Sequence, residues 1–214
     1  MMKDLRNVRN EYKQKPLDEH MMDTNPMDEF HKWFELVLES HVYEPTAMVL
    51  STIGNDGFPE SRIVLLKELR DDGFVFYTNY DSAKGNQIEK NNKVGLNFFW
   101  STLERQVRVT GCIEKISEED SDAYYDSRPY SSQVTAWASP QSRRVENRAF
   151  LVNEATRYRE KFHPVGIPRP QFWGGYIIKP EKVEFWQGRG DRLHDRIVYE
   201  KKREGIWKTY RLAP

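Results

Sequence analysis

The sequence predicts an α+β fold, mainly β, in which a closed antiparallel barrel is decorated by helices. Three observations point there: about eight short strand-like segments bounded by turn residues, helical spacing confined to a few stretches between them, and no βαβ alternation of the kind a parallel sheet requires. The 214 residues suffice for one domain with a sizeable core. We divide the chain into an N-terminal arm, residues 1–24, and a single domain, residues 25–214.

Residues 1–24 are polar and unperiodic, which predicts a mobile arm rather than a packed element. Asn25 then offers an N-cap and Pro26 a first-turn residue for a helix over about 27–41, in which Met27, Phe30, Phe34, Val37, Leu38 and His41 recur at helical spacing. Strands follow at 47–52, 61–67 and 74–78, separated by the Gly54-Asn55-Asp56-Gly57 and Asp71-Asp72-Gly73 turns, and they predict an antiparallel meander. A short helix at 82–91 precedes strands at 94–100 and 106–115. In the second of these Val107, Val109 and Ile113 alternate with Gln106, Arg108 and Thr110, so one face is dry and the other polar. Ser117, with Asp120 three positions on, caps a helix that runs toward Ser127 and stops at Pro129. Helices at 131–138 and 144–162, a proline-rich connection from His163 to Pro170, and strands at 172–178, 182–187, 196–202 and 206–212 complete the chain.

Composition removes several classes of function. No apolar run in strands such as Ala47–Leu50, Ile63–Leu66 or Phe74–Tyr77 exceeds four residues, whereas a membrane helix needs about 20. Thirty-three Lys and Arg balance thirty-three Asp and Glu, so no global positive field exists to attract nucleic acid, although a local basic pocket stays open. The N-terminus lacks the apolar stretch of a secretory signal, and the single Cys112 forms no intrachain disulfide, so residence in the cytoplasm is expected. One cysteine and five scattered histidines lack paired ligand spacing, and no metal is expected.

There is no Walker loop, nucleophile elbow, HExxH or dinucleotide fingerprint. Gly188-Arg189-Gly190 begins like a glycine-rich loop but leads into no helix, so it reads as a charged turn. What remains is a set of cationic and hydroxyl residues beside strands: Arg62 and Lys67 bracketing Ile63–Leu66, Tyr77 and Thr78 with Lys84, and Tyr124, Arg128 and Ser132. Such groups suit a phosphate monoester, because a dianion is best held by several charge-assisted donors. If 61–67 is all strand, Arg62 and Lys67 face opposite sides roughly 16 Å apart. Spacing alone leaves them as ligands of two anions or as solvated strand ends. Tyr124 and Arg128 share a helical face, which an ordinary helix surface also explains. Late in the chain, Phe185-Trp186-Gln187 leads into Arg192-Leu193-His194-Asp195-Arg196, a cluster suited to an anionic aromatic substrate or, equally, to a solvated turn.

At these residues the chain resembles the pyridoxamine/pyridoxine 5′-phosphate oxidase family. The resemblance rests on Arg62-Ile63-Val64-Leu65-Leu66-Lys67, Phe76-Tyr77-Thr78-Asn79, Leu103-Glu104-Arg105-Gln106-Val107-Arg108, Ser127-Arg128-Pro129, Phe172-Trp173-Gly174-Gly175, Phe185-Trp186-Gln187-Gly188, Arg192-Leu193-His194-Asp195-Arg196 and Arg211-Leu212-Ala213-Pro214, in family order over nearly the whole chain. It implies a split antiparallel β-barrel homodimer with FMN in a cleft at the subunit interface, oxidising pyridoxamine and pyridoxine 5′-phosphates with O2.

By matching position the resemblance assigns FMN to Arg62, Ile63, Val64, Leu65, Leu66, Lys67, Tyr77, Thr78, Ala83, Lys84, Gln106, Gln141, Ser142, Trp186 and Arg196. It assigns substrate to Lys67, Tyr124, Arg128, Ser132, Arg192, Leu193 and His194, with Arg9, Asn10, Glu11 and Tyr12 of the arm closing over it. Arg192 and His194 are the expected catalytic pair. Ala83 stands where the family often has arginine, Asn10 where the arm often reads Arg-Arg-Glu-Tyr, and Glu44 where aspartate usually precedes Pro45. The rivals are another split-barrel flavoprotein reductase and a flavin or pyridoxal-phosphate carrier without turnover.

Overall fold

The computed structural model describes residues 11–14, 16–163, 166–203 and 205–214. Helix α1 (Pro26–Glu39) starts where expected because the Asn25 side chain accepts from the Met27 N–H and Pro26 needs no partner in the first turn. It ends at Glu39, short of His41, whose φ of 55° lies in the left-handed region. Strands β1 (Ala47–Ile53) and β2 (Pro59–Leu65) form a hairpin closed by Gly54 N–H on the Phe58 carbonyl at 2.7 Å. There follow β3 (Glu68–Arg70), β4 (Gly73–Asn79), α2 (Ala83–Lys90), β5 (Lys93–Trp100), β6 (Arg105–Lys115), α3 (Glu118–Ser127), α4 (Tyr130–Ala138), α5 (Arg148–Phe162), β7 (Trp173–Gln187), β8 (Asp195–Arg203) and β9 (Ile206–Arg211). No helix among the described residues is long and apolar enough to cross a membrane.

The fold is mixed α+β on a curled antiparallel sheet, with strand order β2-β1-β5-β6-β7-β4-β3 and with β8 paired to β7 and β9 to β8. The expected meander of the first strands is therefore corrected. β2 and the β3–β4 pair stand at opposite ends of the order, and the sheet curls so that Lys67 N–H, just past β2, reaches the Val75 carbonyl of β4 at 2.9 Å. The two strands expected at 172–178 and 182–187 are one strand, β7, of 15 residues. Pro180 interrupts the sequence pattern without breaking the strand. On that edge, pairing with β4 ends at Ile178 and pairing with β8 begins at Lys182, so Pro180 lies in the gap between these two ladders.

Contacts divide the chain into two compact units. One comprises residues up to Val49, Gly95–Thr110 and Pro180–Pro214. Its core gathers aromatics: Phe30 packs on Phe98 and Trp100, and Trp33 on Phe185, which in turn meets Tyr199. Phe30, Trp33 and Val37 of α1 are buried, each worth roughly 1.5–3 kcal/mol. The described part of the arm belongs to this unit. It is not a bare polar tail, since Asp18 caps a single 3₁₀ turn at Glu19–Met21 and the Asp23 carbonyl accepts from the Tyr199 hydroxyl.

The other unit comprises Leu50–Val94 and Gly111–Lys179. Phe74, Val75 and Phe76 of β4 are buried in it, and a second cluster forms around Tyr125, Val134, Ile167 and Trp173. This cluster holds α3, α4 and α5 together: Trp137 of α4 packs against Tyr158 and Phe162 of α5. Helix α5 begins at Arg148 rather than near 144 because Asn147 is its N-cap, accepting from the Phe150 N–H.

Candidate active site

The Leu50–Val94 and Gly111–Lys179 unit contains a cavity of about 820 Å³ lined by β2, β4, α2, α3 and α4 and by the segment after α4. Arg62, Ile63, Val64, Leu65 and Lys67 all line it. The expectation that Arg62 and Lys67 face opposite sides fails because β2 ends at Leu65, so the strand alternation no longer governs Lys67. Leu66 goes instead into the core, 3% exposed, and does not line the cavity.

Two cations sit at one end. Arg62 donates to the Leu50 carbonyl, to Thr52 Oγ1 and to Gln87 Oε1, and the buried Thr52 hydroxyl donates to the same Gln87 oxygen at 2.6 Å. The guanidinium is thus aimed mainly by neutral acceptors, and burial holds it below its ordinary range. Lys84, in the first turn of α2, donates to Thr78 Oγ1, Ser82 Oγ and Gln141 Oε1 at 3.1–3.3 Å. Burial, and then the positive charge of Arg62, pull its pKa down to about 8. Ala83 beside it supplies a methyl group and no donor. Gln141 also accepts from the Thr78 hydroxyl at 3.2 Å, and the next residue, Ser142, is held at a φ of 66°.

The other end is walled by rings. Tyr77 stacks on Tyr124 at 3.7 Å and 13°, and Trp173 lies nearly parallel to both, at 14° and 4°. The glycines after Trp173 make this possible. Gly175 pairs with Tyr77 and Gly174 with Thr78, and a Cβ at Gly175 would meet Tyr77 Cε1 at 2.8 Å, while one at Gly174 would collide with the Tyr80 hydroxyl. Burial, followed by the Glu68 charge, pushes the Tyr77 phenol up to about 12, and burial also raises Tyr124, so both are neutral donors.

Arg128, the C-cap of α3, lies over Trp173 with its guanidinium carbon 4.4 Å from the ring centre. Its Nη1 is buried with no hydrogen-bond partner among the described residues, and burial lowers its pKa. A buried, unsatisfied guanidinium nitrogen is costly to a folded chain unless a ligand completes it. Ser132, in the first turn of α4, is half-buried but does not line the cavity. Thr135 and Ser139 do line it, and sequence reasoning passed them over, although their four-residue spacing places them on one helical face.

The remaining predicted residues belong to the other unit, apart from the cavity lining: Gln106 on β6, Trp186 on β7, Arg192, Leu193 and His194 in the β7–β8 connection, and Arg196 on β8. Trp186 and His194 are in ring contact at 4.8 Å, and Tyr12 stands edge-on to both, at 5.7 and 5.5 Å. His194 Nδ1 accepts the Arg189 N–H at 3.1 Å, which places the proton of the neutral ring on Nε2. Asp191 and Arg192 both have left-handed φ, 54° and 62°, and Arg192 and Leu193 are exposed. Arg196 is gripped by both Glu184 oxygens, at 2.9 and 3.1 Å, and donates to the Ala213 carbonyl. Glu11 is exposed, while Arg9 and Asn10 lie outside the described residues.

A curled antiparallel sheet bearing a cavity lined by cations and stacked rings places the chain in the split-barrel class. Residues 35–162 match the family described as pyridoxamine 5′-phosphate oxidase, and residues 173–214 match the pyridoxine 5′-phosphate oxidase C-terminal dimerisation region. The pyridoxine/pyridoxamine 5′-phosphate oxidase of Actinobacillus pleuropneumoniae serotype 5b (strain L20) is 51% identical over 211 residues, 99% of this chain and all of that one. The protein of the same name from Rubrobacter xylanophilus is 48% identical over 99% of this chain and 97% of its own. Among solved structures, PhzG from Burkholderia lata 383, in complex with tetrahydrophenazine-1-carboxylic acid, superposes with a TM-score of 0.88 at 26% identity, covering 96% of this chain and all of that one. An FMN-binding protein of Nostoc punctiforme related to pyridoxamine 5′-phosphate oxidase shares the fold, with a TM-score of 0.70 at 19% identity over 90% of this chain and all of its own. The chain belongs to the pyridoxamine 5′-phosphate oxidase family.

Proposed function

We propose that this protein oxidises pyridoxamine 5′-phosphate and pyridoxine 5′-phosphate to pyridoxal 5′-phosphate, as a homodimer that uses FMN and O2. The observation that carries the reading is the unpartnered Arg128 nitrogen in a cavity that also holds Lys67 and a flat wall of rings. Arg128, Lys67 and the Tyr124 hydroxyl are donors for the substrate phosphate, and the rings favour a planar pyridine.

The donor set also supports FMN. Arg62 and Lys84 share one end of the cavity, where most of their hydrogen-bond partners are neutral and the one carboxylate among the described residues that meets either, Glu60, stands 3.5 Å from Arg62, so a terminal phosphate dianion would complete the pair. Arg62–Lys67, Tyr77, Thr78, Lys84, Gln141 and Ser142 would hold it, with Gln106, Trp186 and Arg196 contributing in the dimer. When bound, the flavin supplies the redox chemistry, taking two electrons from the substrate and passing them to O2 as hydrogen peroxide. The protein's part is to bind, orient and exclude water. Arg192 orients the amine or alcohol at the reacting carbon, and His194 offers a hydrogen-bond donor at Nε2. With an amine substrate, the imine left after oxidation takes up water and releases ammonia.

The test is direct: FMN-loaded protein given pyridoxamine 5′-phosphate in air should yield peroxide and pyridoxal 5′-phosphate. Protein that takes up FMN yet forms neither overturns the reading in favour of a carrier.

A further inference from the structure

Carboxylates and arginines of the folded domain fasten the backbone of the N-terminal arm. Glu104 Oε2 accepts from the N–H groups of Lys13 at 2.9 Å and Gln14 at 3.3 Å, and Asp195 Oδ2 accepts from that of Leu17 at 3.0 Å. The arm's carbonyls are taken by cations: Arg189 donates to Gln14 and Arg211 to Leu17. Both arginines also meet Asp195, and Arg211 meets Glu19 as well. Because these contacts are made to main-chain atoms, they fix the path of the chain more than they select its side chains.

That path leads to Tyr12, whose ring stands against Trp186 and His194. Gly188 provides the seat: a Cβ there would lie 2.8 Å from Tyr12 Cγ and 3.0 Å from Glu104 Cβ. Gly188 N–H in turn donates to the Glu104 carbonyl at 2.8 Å. Glu104 adopts a φ of 53°, a left-handed conformation that glycine or asparagine reaches more cheaply. Glu104 bears this strain at the position from which its carboxylate reaches the arm.

We propose that Glu104 and Asp195 are positioning residues for the oxidation, two clamps that fasten the arm so that Tyr12 holds His194 and Trp186 in their working arrangement. The inference rests on the reading of His194 as a substrate-facing residue. It is tested on the FMN-loaded protein by limited trypsin cleavage after Lys13, read by mass spectrometry, together with steady-state kinetics on pyridoxamine 5′-phosphate.

Glu104→Ala should raise the cleavage rate and KM each by about tenfold, with kcat changed less than about threefold. Glu104→Gln keeps an acceptor oxygen for the two N–H groups and should recover most of both effects. Gly188→Ala leaves both carboxylates but closes the seat of the ring, and should reproduce the KM effect. Cleavage at the parental rate in Glu104→Ala, or faster cleavage with KM unchanged in both alanine variants, overturns the proposal while the parental activity stands. Parental protein that forms no product overturns the functional reading itself, and the proposed effect on KM with it.

Discussion

Arg128 and Lys84 of the cavity and the arginines beside the arm are placed under opposite rules, with Arg62, which also meets Glu60 at 3.5 Å, standing between them. In the cavity Arg128 and Lys84 are half-buried against rings, hydroxyls and amides, and no carboxylate among the described residues pairs with either. Beside the arm, Arg189 and Arg211 share Asp195, and Arg196 is held by both oxygens of Glu184. Desolvating a charge without a counter-ion is expensive, so a fold retains such a charge where a ligand supplies the missing partner. Paired arginines need no ligand and serve geometry. By this comparison Arg196, assigned to FMN by resemblance, contributes first to the structure, whereas Arg192 is exposed, has no acidic partner among the described residues, and is the cation of its region left for substrate.

The sharpest break would come at Arg192. Arg192→Ala should lower kcat by about 10²–10³-fold, the size expected for one electrostatic contact of 2–4 kcal/mol at a reacting centre, with FMN content retained. Anaerobic stopped-flow reduction at saturating substrate isolates the step, and a parental rate there refutes the assignment.

Arg128→Ala should act mainly on KM, raising it about 10- to 100-fold, because the phosphate assigned to it is remote from the bond that breaks. Steady-state kinetics decide, and a loss confined to kcat would move Arg128 out of the phosphate site.

Arg196→Ala should cost about 2 kcal/mol in a denaturant melt, since it strips Glu184 of its bidentate partner and leaves it, among the described residues, with Arg108 at 3.4 Å. If it instead releases FMN with an unchanged melt, paired and unpaired cations do not differ in the way argued.

The smallest effect concerns pH. Lys84 in the free protein has a pKa of about 8 against an ordinary 10.5, and a phosphate dianion would raise it. Below pH 8 the ammonium is already charged. As pH rises through 8 the free protein loses that proton and binding must recover it, so FMN affinity should fall by up to about tenfold per pH unit. The sign is reversed for the stability of the free protein, whose cost of burying the ammonium is relieved over the same range. Flavin fluorescence titrations between pH 7 and 9 should show the decline in the parental protein and a flatter profile in Lys84→Met.

Local grammar made much of the fold legible. Asn25-Pro26, Ser117 and the Gly54–Gly57 turn are each written in a few adjacent residues, and each marks an element boundary in the structure. Strand order was not legible, because pairing β4 with β7 is decided by Gly174 and Gly175 fitting Tyr77 and Tyr80 across nearly a hundred residues. The same holds within the site. Arg62, Lys67, Tyr124 and Arg128 could be named from residue type and motif, but Thr52 and Gln87, which aim Arg62, are uncharged residues 35 positions apart. Glu184 likewise looks like any alternating strand residue until Arg196 is seen on it. Side chains that touch a ligand carry a chemical signature, whereas those that hold them carry only a position.

The parallel rings of Tyr77, Tyr124 and Trp173 bear on competition. Phosphate esters of sugars crowd metabolism, and a site built only of cations would be occupied by whichever was most abundant. A chair-shaped sugar presents axial hydrogens and hydroxyls to a flat wall and buries little of itself there, while a pyridine lies flush. For the pyridine phosphate proposed as substrate, the rings would act as a filter on shape in front of a clamp that reads only charge, and would keep a strong phosphate grip from being saturated by the commonest anions.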